Sequence, residues 1–219
     1  VAGGDIRVSQ SIDTNGGDLT LTAGSARNAA SLDDAPPNIG IYAGLFTRGG
    51  DLSLTAGSGE GRGEIAFGSE ADLLQIDAGS GDISLTSDSG IDMDYGSAAF
   101  NSRNFIAAGD ETNGPMGTFD FSEISITVSG NITLLAEEQM LKIGNLTAGT
   151  VGNISAGISD VAGIITLQSD EVIIGSSDQS ATIRNQGAGN KTFIDSHTGS
   201  GSLQLASGNC AGGEFARRA

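Results

Sequence analysis

Short runs in which two aliphatic residues flank one polar residue recur along the chain. Seven copies of this phrase occur, at residues 4–8, 17–25, 50–58, 81–87, 130–134, 163–167 and 201–205. The clearest copies read GDLTLTAGS, GDLSLTAGS and GDISLTS. A side-chain period of two is typical of a β-strand with one buried face. The phrase therefore predicts strands that bury their aliphatic residues and turn their Thr and Ser residues to solvent.

The phrase also assigns roles to its residues. The aliphatic pairs are predicted to form a repeated core, made of Leu19, Leu21, Leu52, Leu54, Ile83, Leu85, Ile132, Leu134, Ile165, Leu167, Leu203 and Leu205. The polar residue that opens each run is expected to lie in a turn, at Asp18, Asp51, Asp82 and Asn131. Equivalent aspartates would then stack in a column, one above another. Either a cation relieves their repulsion, or each aspartate hydrogen-bonds the backbone of its own turn, which we favour.

The spacing of the copies predicts the length of one structural repeat. Asp18, Asp51 and Asp82 are separated by 33 and 31 residues, which is longer than a hairpin and suits a coil of about three short strands. The gap of 49 residues between Asp82 and Asn131 indicates an insertion or one extra short coil, as does a gap of 38 residues after Ile164.

We therefore predict an all-β fold, a right-handed parallel β-helix of about seven coils of roughly 31–33 residues. Stacked coils bury the aliphatic face that one coil alone leaves exposed, because each strand pairs with its copy about 4.8 Å away. The other strands of each coil are expected at residues 39–41, 65–67, 74–76, 91–93, 124–126, 141–143 and 172–174. An antiparallel sandwich would instead require hairpin turns every 8–12 residues, roughly.

Two segments depart from the repeat. Residues 97–121 concentrate Phe, Pro and Met, and are expected to form a loop insertion that packs against the side of the rod; residues 26–37 are expected to form a polar loop. Residues 1–209 are predicted to be a single β-helix domain, and residues 210–219 a carboxyl-terminal tail or cap. The first residues are neither an initiator Met nor a signal peptide, so we expect a processed chain or a segment of a longer one.

Composition narrows the classes of function. The formal net charge of −17 opposes binding to nucleic acid, and no apolar run is long enough for membrane insertion. The single cysteine, Cys210, excludes an internal disulfide and has no basic neighbour that would activate its thiol. We expect no cofactor and no metal, because the nine-residue tandem of calcium-binding repeats is absent.

The phrase resembles the repeats of filamentous haemagglutinin-type exoproteins and related large bacterial adhesins. The match is closest at residues 16–25, 49–58, 80–87 and 129–136. The resemblance implies a right-handed β-helix that forms part of the shaft of a secreted or surface-displayed protein. It also implies that a chain nearly free of Cys suits export in an unfolded state.

Catalysis is a weaker interpretation of the same fold. Asp92 and Asp94 are two residues apart on one predicted strand, so their Cα atoms would lie about 7 Å apart on one face and could frame a glycosidic bond. A nucleophilic triad at His197 is disfavoured, because Asp195 and Ser196 are its chain neighbours and cannot both face it. We predict no catalytic residues. Four glycosylation sequons begin at Asn131, Asn145, Asn153 and Asn190, and we expect them to be unoccupied.

The predicted function is that of a non-enzymatic structural or adhesive rod, secreted or at the cell surface. Its expected partners are flanking repeats or copies of itself, joined end to end, and a receptor or glycan on a host or neighbouring cell. Two alternatives remain open at this point: a carbohydrate-active β-helix (a lyase, a glycosidase or a tailspike-like binder) and a self-assembling extracellular filament subunit.

Overall fold

The structure, a computed structural model, describes residues 5–24, 39–57, 63–87, 90–109, 118–148, 164–174, 183–185, 191–196, 202–205 and 215–216. Within these residues the chain forms 17 β-strands and no helix. The strands are β1 (Ile6–Val8), β2 (Ile12–Asp13), β3 (Leu19–Ala23), β4 (Ile39–Ile41), β5 (Leu45–Phe46), β6 (Leu52–Ala56), β7 (Glu64–Asp77), β8 (Ile83–Ser87), β9 (Gly90–Ser102), β10 (Phe105–Gly109), β11 (Thr118–Val128), β12 (Ile132–Ala148), β13 (Ile164–Ile174), β14 (Ile183–Asn185), β15 (Lys191–Ser196), β16 (Ser202–Leu205) and β17 (Phe215–Ala216).

The strands pair in three series, which we call ladders 1, 2 and 3. Ladder 1 joins β3, β6, β8, β10, β12, β13, β15 and β17. Ladder 2 joins β1, β4, β7, β9, β11, β12, β13 and β16. Ladder 3 joins β2, β5, β7, β9, β11, β12 and β14. All of these pairings are parallel, and the 17 strands form one hydrogen-bonded network, so the prediction of an all-β, parallel fold is confirmed.

The chain visits the ladders in a repeated order. It passes Ile6 in ladder 2, Ile12 in ladder 3 and Leu19 in ladder 1, and then returns to ladder 2 at Ile39. We call one such passage a coil. The strands predicted between the phrases, from residues 39–41 to residues 172–174, all lie within observed strands.

Coil length is less regular than predicted. Equivalent residues of ladder 1 are Leu19, Leu52, Ile83, Phe105 and Ile132, at spacings of 33, 31, 22 and 27 residues. The uniform period of 31–33 residues is therefore wrong beyond the first coils. The long gap before Ile132 contains an extra short coil, which was one of the two predicted explanations.

The predicted loop insertion at 97–121 is wrong for the described part of that segment. Residues 97–109 and 118–121 belong to β9, β10 and β11, and pair in register with the neighbouring coils. The interior positions here are held by Phe100, Phe105, Phe119 and Phe121, each at most 1 % exposed. Large aromatic side chains fill the space that aliphatic pairs fill elsewhere, so a pattern defined on Leu and Ile does not recognise these strands.

The corner that leads into ladder 1 is built the same way in the first two coils. The hydroxyl of Thr14 donates a hydrogen bond to the carbonyl of Gly17, and Thr47 donates in the same way to Gly50. The next residue after each threonine has a φ of 52°, in the left-handed region, which turns the chain sharply. This corner sets the direction in which each ladder 1 strand starts.

Candidate functional site

The predicted core residues occupy different depths. Leu52, Leu54, Ile83 and Leu85, like Ile132, Leu134, Ile165 and Leu167, are at most 1 % exposed and lie in ladder 1. Leu19 and Leu21 pair with Leu52 and Leu54 but are only partly buried, because their strand β3 pairs on one side in the described structure. Leu203 and Leu205 lie in ladder 2, paired with residues 172 and 174, so the last copy of the phrase is not in the ladder of the others. The first copy, at residues 4–8, also contributes to ladder 2.

The turn residues form a column of hydrogen bonds, which we call the polar file: Asp18, Asp51, Asp82, Asn104 and Asn131. The Oδ1 atom of Asp18 accepts from the backbone N–H of Asp51 at 2.9 Å, and Oδ1 of Asp51 accepts from the N–H of Asp82 at 2.8 Å. Asp82 accepts from the N–H of Asn104 at 3.1 Å, and Asn104 from that of Asn131 at 3.0 Å. Each side chain thus bonds the backbone of the next coil. The expectation that each aspartate bonds its own turn is wrong.

The charge of the polar file is neutralised where it meets the shorter coils. Arg103 makes two hydrogen bonds to Asp82, from Nε to Oδ1 at 2.8 Å and from Nη2 to Oδ2 at 2.6 Å. These bonds lower the pKa of Asp82 below its ordinary value, against the opposing effect of burial. Asparagine replaces aspartate in the next two members of the file. Among the described residues, no group of three or more His, Cys, Asp or Glu side chains is placed to hold a metal ion.

Glycine precedes the aspartate in the phrase because successive coils approach closely there. A Cβ on Gly50 would lie 2.4 Å from the carbonyl oxygen of Gly17, and one on Gly81 would lie 2.0 Å from that of Gly50. A Cβ on Gly17 would meet only Thr14 of its own turn, at 3.5 Å. The steric need for glycine thus arises from the preceding coil, and the described structure places none before Gly17.

The outer face of ladder 2 carries a second cluster, which we call the tyrosine patch: Arg7, Tyr42, Asp92, Asp94 and Tyr95. Tyr42 directly follows β4, and both aspartates and Tyr95 lie in β9. The hydroxyl of Tyr42 donates to Oδ2 of Asp94 at 2.6 Å, and the rings of Tyr42 and Tyr95 lie with centroids 6.0 Å apart and planes 18° apart. The guanidinium of Arg7 lies 4.4 Å from the centroid of Tyr42.

The patch contains an unusual carboxyl group. Burial raises the pKa of Asp92 from 3.8 to about 6, and the carboxylates of Glu64 and Asp94 act in the same direction. Oδ1 of Asp92 is buried and has no hydrogen-bond partner. The hydrogen bond to Asp94 and burial also raise the pKa of Tyr42 to about 12, so Tyr42 is a neutral donor at physiological pH.

One coil further on, a carboxylate has the opposite character. Asp120 accepts from Nζ of Lys142 at 2.8 Å and from the N–H of Ser122 at 3.0 Å. Burial alone would raise the pKa of Asp120, but these bonds lower it below its ordinary value. Ile91 pairs with Phe119, so Asp92 and Asp120 occupy the same outward row.

The arrangement provides only part of what glycoside cleavage requires. A protonated Asp92 and an ionised Asp120 resemble the acid and base of a hydrolase in their opposite pKa shifts. However, Lys142 neutralises Asp120, and Asp94 is occupied by the hydroxyl of Tyr42. Binding through the exposed aromatic surface demands less of the site than bond cleavage does.

Several sequence-level candidates fall outside the described residues or side chains. His197, Cys210, Asn153 and Asn190 lie outside the described residues, as does the loop at residues 26–37. For Asp195 and Ser196 only the strand backbone of β15 is described. Within the predicted tail, residues 215–216 form β17, which pairs with β15.

Two features of the surface were missed at the sequence level. Asn104 belongs to the polar file, but Arg103 stands where the phrase has glycine and Phe105 where it has an aliphatic residue. Tyr42 and Tyr95 are 53 residues apart, and only the knowledge that two coils separate them would have predicted their contact. The short coils prevent that inference from the phrase alone.

No family model, no curated protein and no solved structure matches the chain. The resemblance to filamentous haemagglutinin-type repeats therefore depends on the repeated phrase. Among the described residues, no helix is long and apolar enough to cross a membrane.

Proposed function

We propose that the chain is a closed, right-handed parallel β-helix that acts as a non-enzymatic structural or adhesive rod. The observation that carries this proposal is the contact between phenylalanines of all three ladders. Phe67 of ladder 2 packs edge-on against Phe100 of ladder 3, with ring centroids 5.2 Å apart. Phe100 packs against Phe105 of ladder 1 at 5.3 Å, and Phe105 against Phe121 of ladder 2 at 6.2 Å. Three ladders that share one interior are the expected cross-section of a closed coil.

The right hand of the coil follows from chain chirality. Parallel strands connected through a crossover are right-handed in nearly all proteins, because a right-twisted strand packs back on its sheet only in that way. Such a rod is stiffened by backbone hydrogen bonds along its axis and by a dry interior.

The surface supports a role outside the cell interior. A formal net charge of −17 keeps a rod soluble and apart from other acidic surfaces, and the phrase resembles shaft repeats of exported proteins. We therefore propose that the rod is secreted or displayed at a surface, where it extends or presents its neighbours.

A double-mutant cycle tests closure. We expect Phe100→Leu and Phe105→Leu to show a coupling energy of about 0.5–1.5 kcal/mol in urea unfolding, because their rings touch across two ladders. Phe100→Leu and Leu21→Ala, which lie three coils apart, should be additive. Additivity in both pairs would contradict a shared interior.

Catalysis is tested directly on polysaccharides. We expect no release of reducing ends or unsaturated products from a panel of neutral and acidic polysaccharides. Turnover that Asp92→Ala and Asp94→Ala both abolish, with the fold retained, would establish the carbohydrate-active alternative instead.

The first coil favours a further partner, another coil stacked on its open side. The inward side chains of Ile6, Ile12 and Leu19 are only partly buried, although their equivalents one coil further on are covered. Gly17 keeps the space into which a preceding carbonyl would fit. We propose that a flanking repeat, or a second copy of the chain, adds to this end.

Light scattering at increasing protein concentration tests whether copies add to this end. If they do, Gly17→Val should reduce the growth of mass, because its side chain occupies the position of the incoming backbone. Thr20→Val, on the solvent side of the same coil, is the matched control. Growth that Gly17→Val leaves unchanged would exclude this end as the contact between copies.

A further inference from the structure

The chain has two tyrosines and no tryptophan, and both tyrosines belong to the tyrosine patch. Tyr42 comes from the second coil and Tyr95 from the fourth, yet their rings lie nearly parallel at 6.0 Å. Tyr95 is 42 % exposed. An aromatic surface of this size on an acidic, polar exterior is available to a partner.

Glycines hold the rings against the rod. A Cβ on Gly40 would lie 2.6 Å from the ring of Tyr42. A Cβ on Gly68 would lie 2.9 Å from the ring of Tyr42 and 3.0 Å from that of Tyr95. Both rings therefore cover the backbone of Gly68 directly. The hydrogen bond from Tyr42 to Asp94 fixes the first ring further, so the aromatic surface is formed before any ligand arrives.

The polar groups around the rings have both signs. Arg7 supplies guanidinium donors beside Tyr42, and Asp94 supplies carboxylate acceptors at its hydroxyl end. Lone ions of either sign would meet one favourable and one unfavourable partner. A ligand that carries many hydroxyl groups can accept from the guanidinium and donate to the carboxylate at the same time.

We propose that the tyrosine patch is a binding site for a neutral saccharide. The apolar face of a pyranose ring would stack on Tyr95 and the accessible part of Tyr42, while its hydroxyl groups bond Arg7 and Asp94. A cationic ligand fits less well, because Arg7 already holds the cation–π position over Tyr42. The site uses the outward face of ladder 2 and leaves the interior and the ends of the rod free. It deepens the adhesive part of the proposed function by naming a ligand class, but binding itself requires neither catalysis nor assembly.

Tyrosine fluorescence tests the site selectively, since the chain has no other tyrosine and no tryptophan. The full chain is titrated separately with cellohexaose, chitohexaose, maltohexaose, mannohexaose and xylohexaose, up to concentrations on the order of 10 mM. We expect at least one of them to give a saturable change. Calorimetry of that saccharide provides an independent readout.

Three variants assign the signal. Tyr95→Ala should weaken binding of that saccharide at least about tenfold, which corresponds to 1.4 kcal/mol. Tyr95→Phe, which keeps the ring, should retain binding. Ile106→Ala is the matched control, because Ile106 is 44 % exposed on ladder 1, away from the patch. Circular dichroism establishes that each variant is folded.

The outcomes separate this site from the rod. If no saccharide in the panel binds, or if Tyr95→Ala binds as well as the parent chain, the saccharide site is wrong and the rod is unaffected. Saturation by tetramethylammonium without saccharide binding would overturn the proposal in favour of a cation site. Loss of the Phe100–Phe105 coupling with saccharide binding intact would instead reject closure and keep the site.

Discussion

Single side chains on the outer face of the rod are governed by the residue one coil away. Asp120 has Lys142 as its neighbour and stays ionised, whereas Asp92 faces other carboxylates and has a buried oxygen without a partner. Both aspartates follow a buried residue on an edge of ladder 2. The register between coils, rather than the local sequence, therefore decides the charge that each one carries.

The raised pKa of Asp92 makes the stability of the rod depend on pH. Between pH 3.8 and about 6 the folded chain holds a proton that the unfolded chain has released, so the free energy of unfolding falls as pH rises through this window. We expect Asp92→Asn to be more stable than the parent chain by about 1 kcal/mol at pH 8 and equal to it at pH 4, a value reduced for partial exposure. Urea unfolding at both pH values measures the difference.

Asp18→Asn is the control for this experiment. It removes the same charge but keeps a carbonyl oxygen that accepts the N–H of Asp51. The control should show no comparable difference between pH 4 and pH 8. A gain of equal size in both variants would attribute the effect to net charge instead of to the environment of Asp92.

At the scale of the elements, one coil must fit the coil before it in two places. The inward side chain needs a partner to cover it, and the glycine of the phrase needs space for the preceding carbonyl. Each requirement can be tested at the same position of two successive coils, because the first coil lacks a described neighbour on one side.

Leu54→Ala and Leu21→Ala compare covered and uncovered inward positions. Leu54 pairs with Leu21 and is fully buried, so its truncation should destabilise the rod by about 2–5 kcal/mol. Leu21 is partly buried, and its truncation should cost about 1–2 kcal/mol. Urea unfolding measures both values. Equal costs would mean that the first coil is covered as well as the second.

Gly81→Ala and Gly17→Ala compare the two ends of the same close approach. The new methyl group at residue 81 would lie 2.0 Å from a backbone oxygen, which should cost about 3 kcal/mol or more. The same change at residue 17 should stay within about 0.5 kcal/mol, because the site is open. Thermal unfolding distinguishes them, and a tolerant Gly81→Ala would contradict the observed distance between coils.

At the scale of the whole molecule, the repeated phrase was sufficient to predict strands, their parallel pairing and the buried residues of ladder 1. It was not sufficient to predict coil length, because coils shorten where Phe100, Phe105 and Phe121 replace aliphatic pairs. The tyrosine patch could not be predicted either. Contacts between Tyr42 and Tyr95 depend on the number of coils between them, and that number was hidden by the irregular coils.

A stack of coils with one open end should exchange its amide hydrogens unevenly. Strands β6 and β8 are paired on both sides, whereas β1, β2 and β3 are paired on one side within the described residues. Half of the amides in the first coil therefore lack an acceptor in a neighbouring coil, and its inward side chains are less buried. We expect peptides from β1–β3 to exchange at least about tenfold faster than those from β6 and β8, since local opening needs less free energy at an end. Hydrogen exchange with mass spectrometry measures this at low protein concentration. Repeating it at high concentration separates a free end from a covered one: protection that rises in β1–β3 alone would locate self-association at the first coil, and uniform protection at low concentration would contradict an open end.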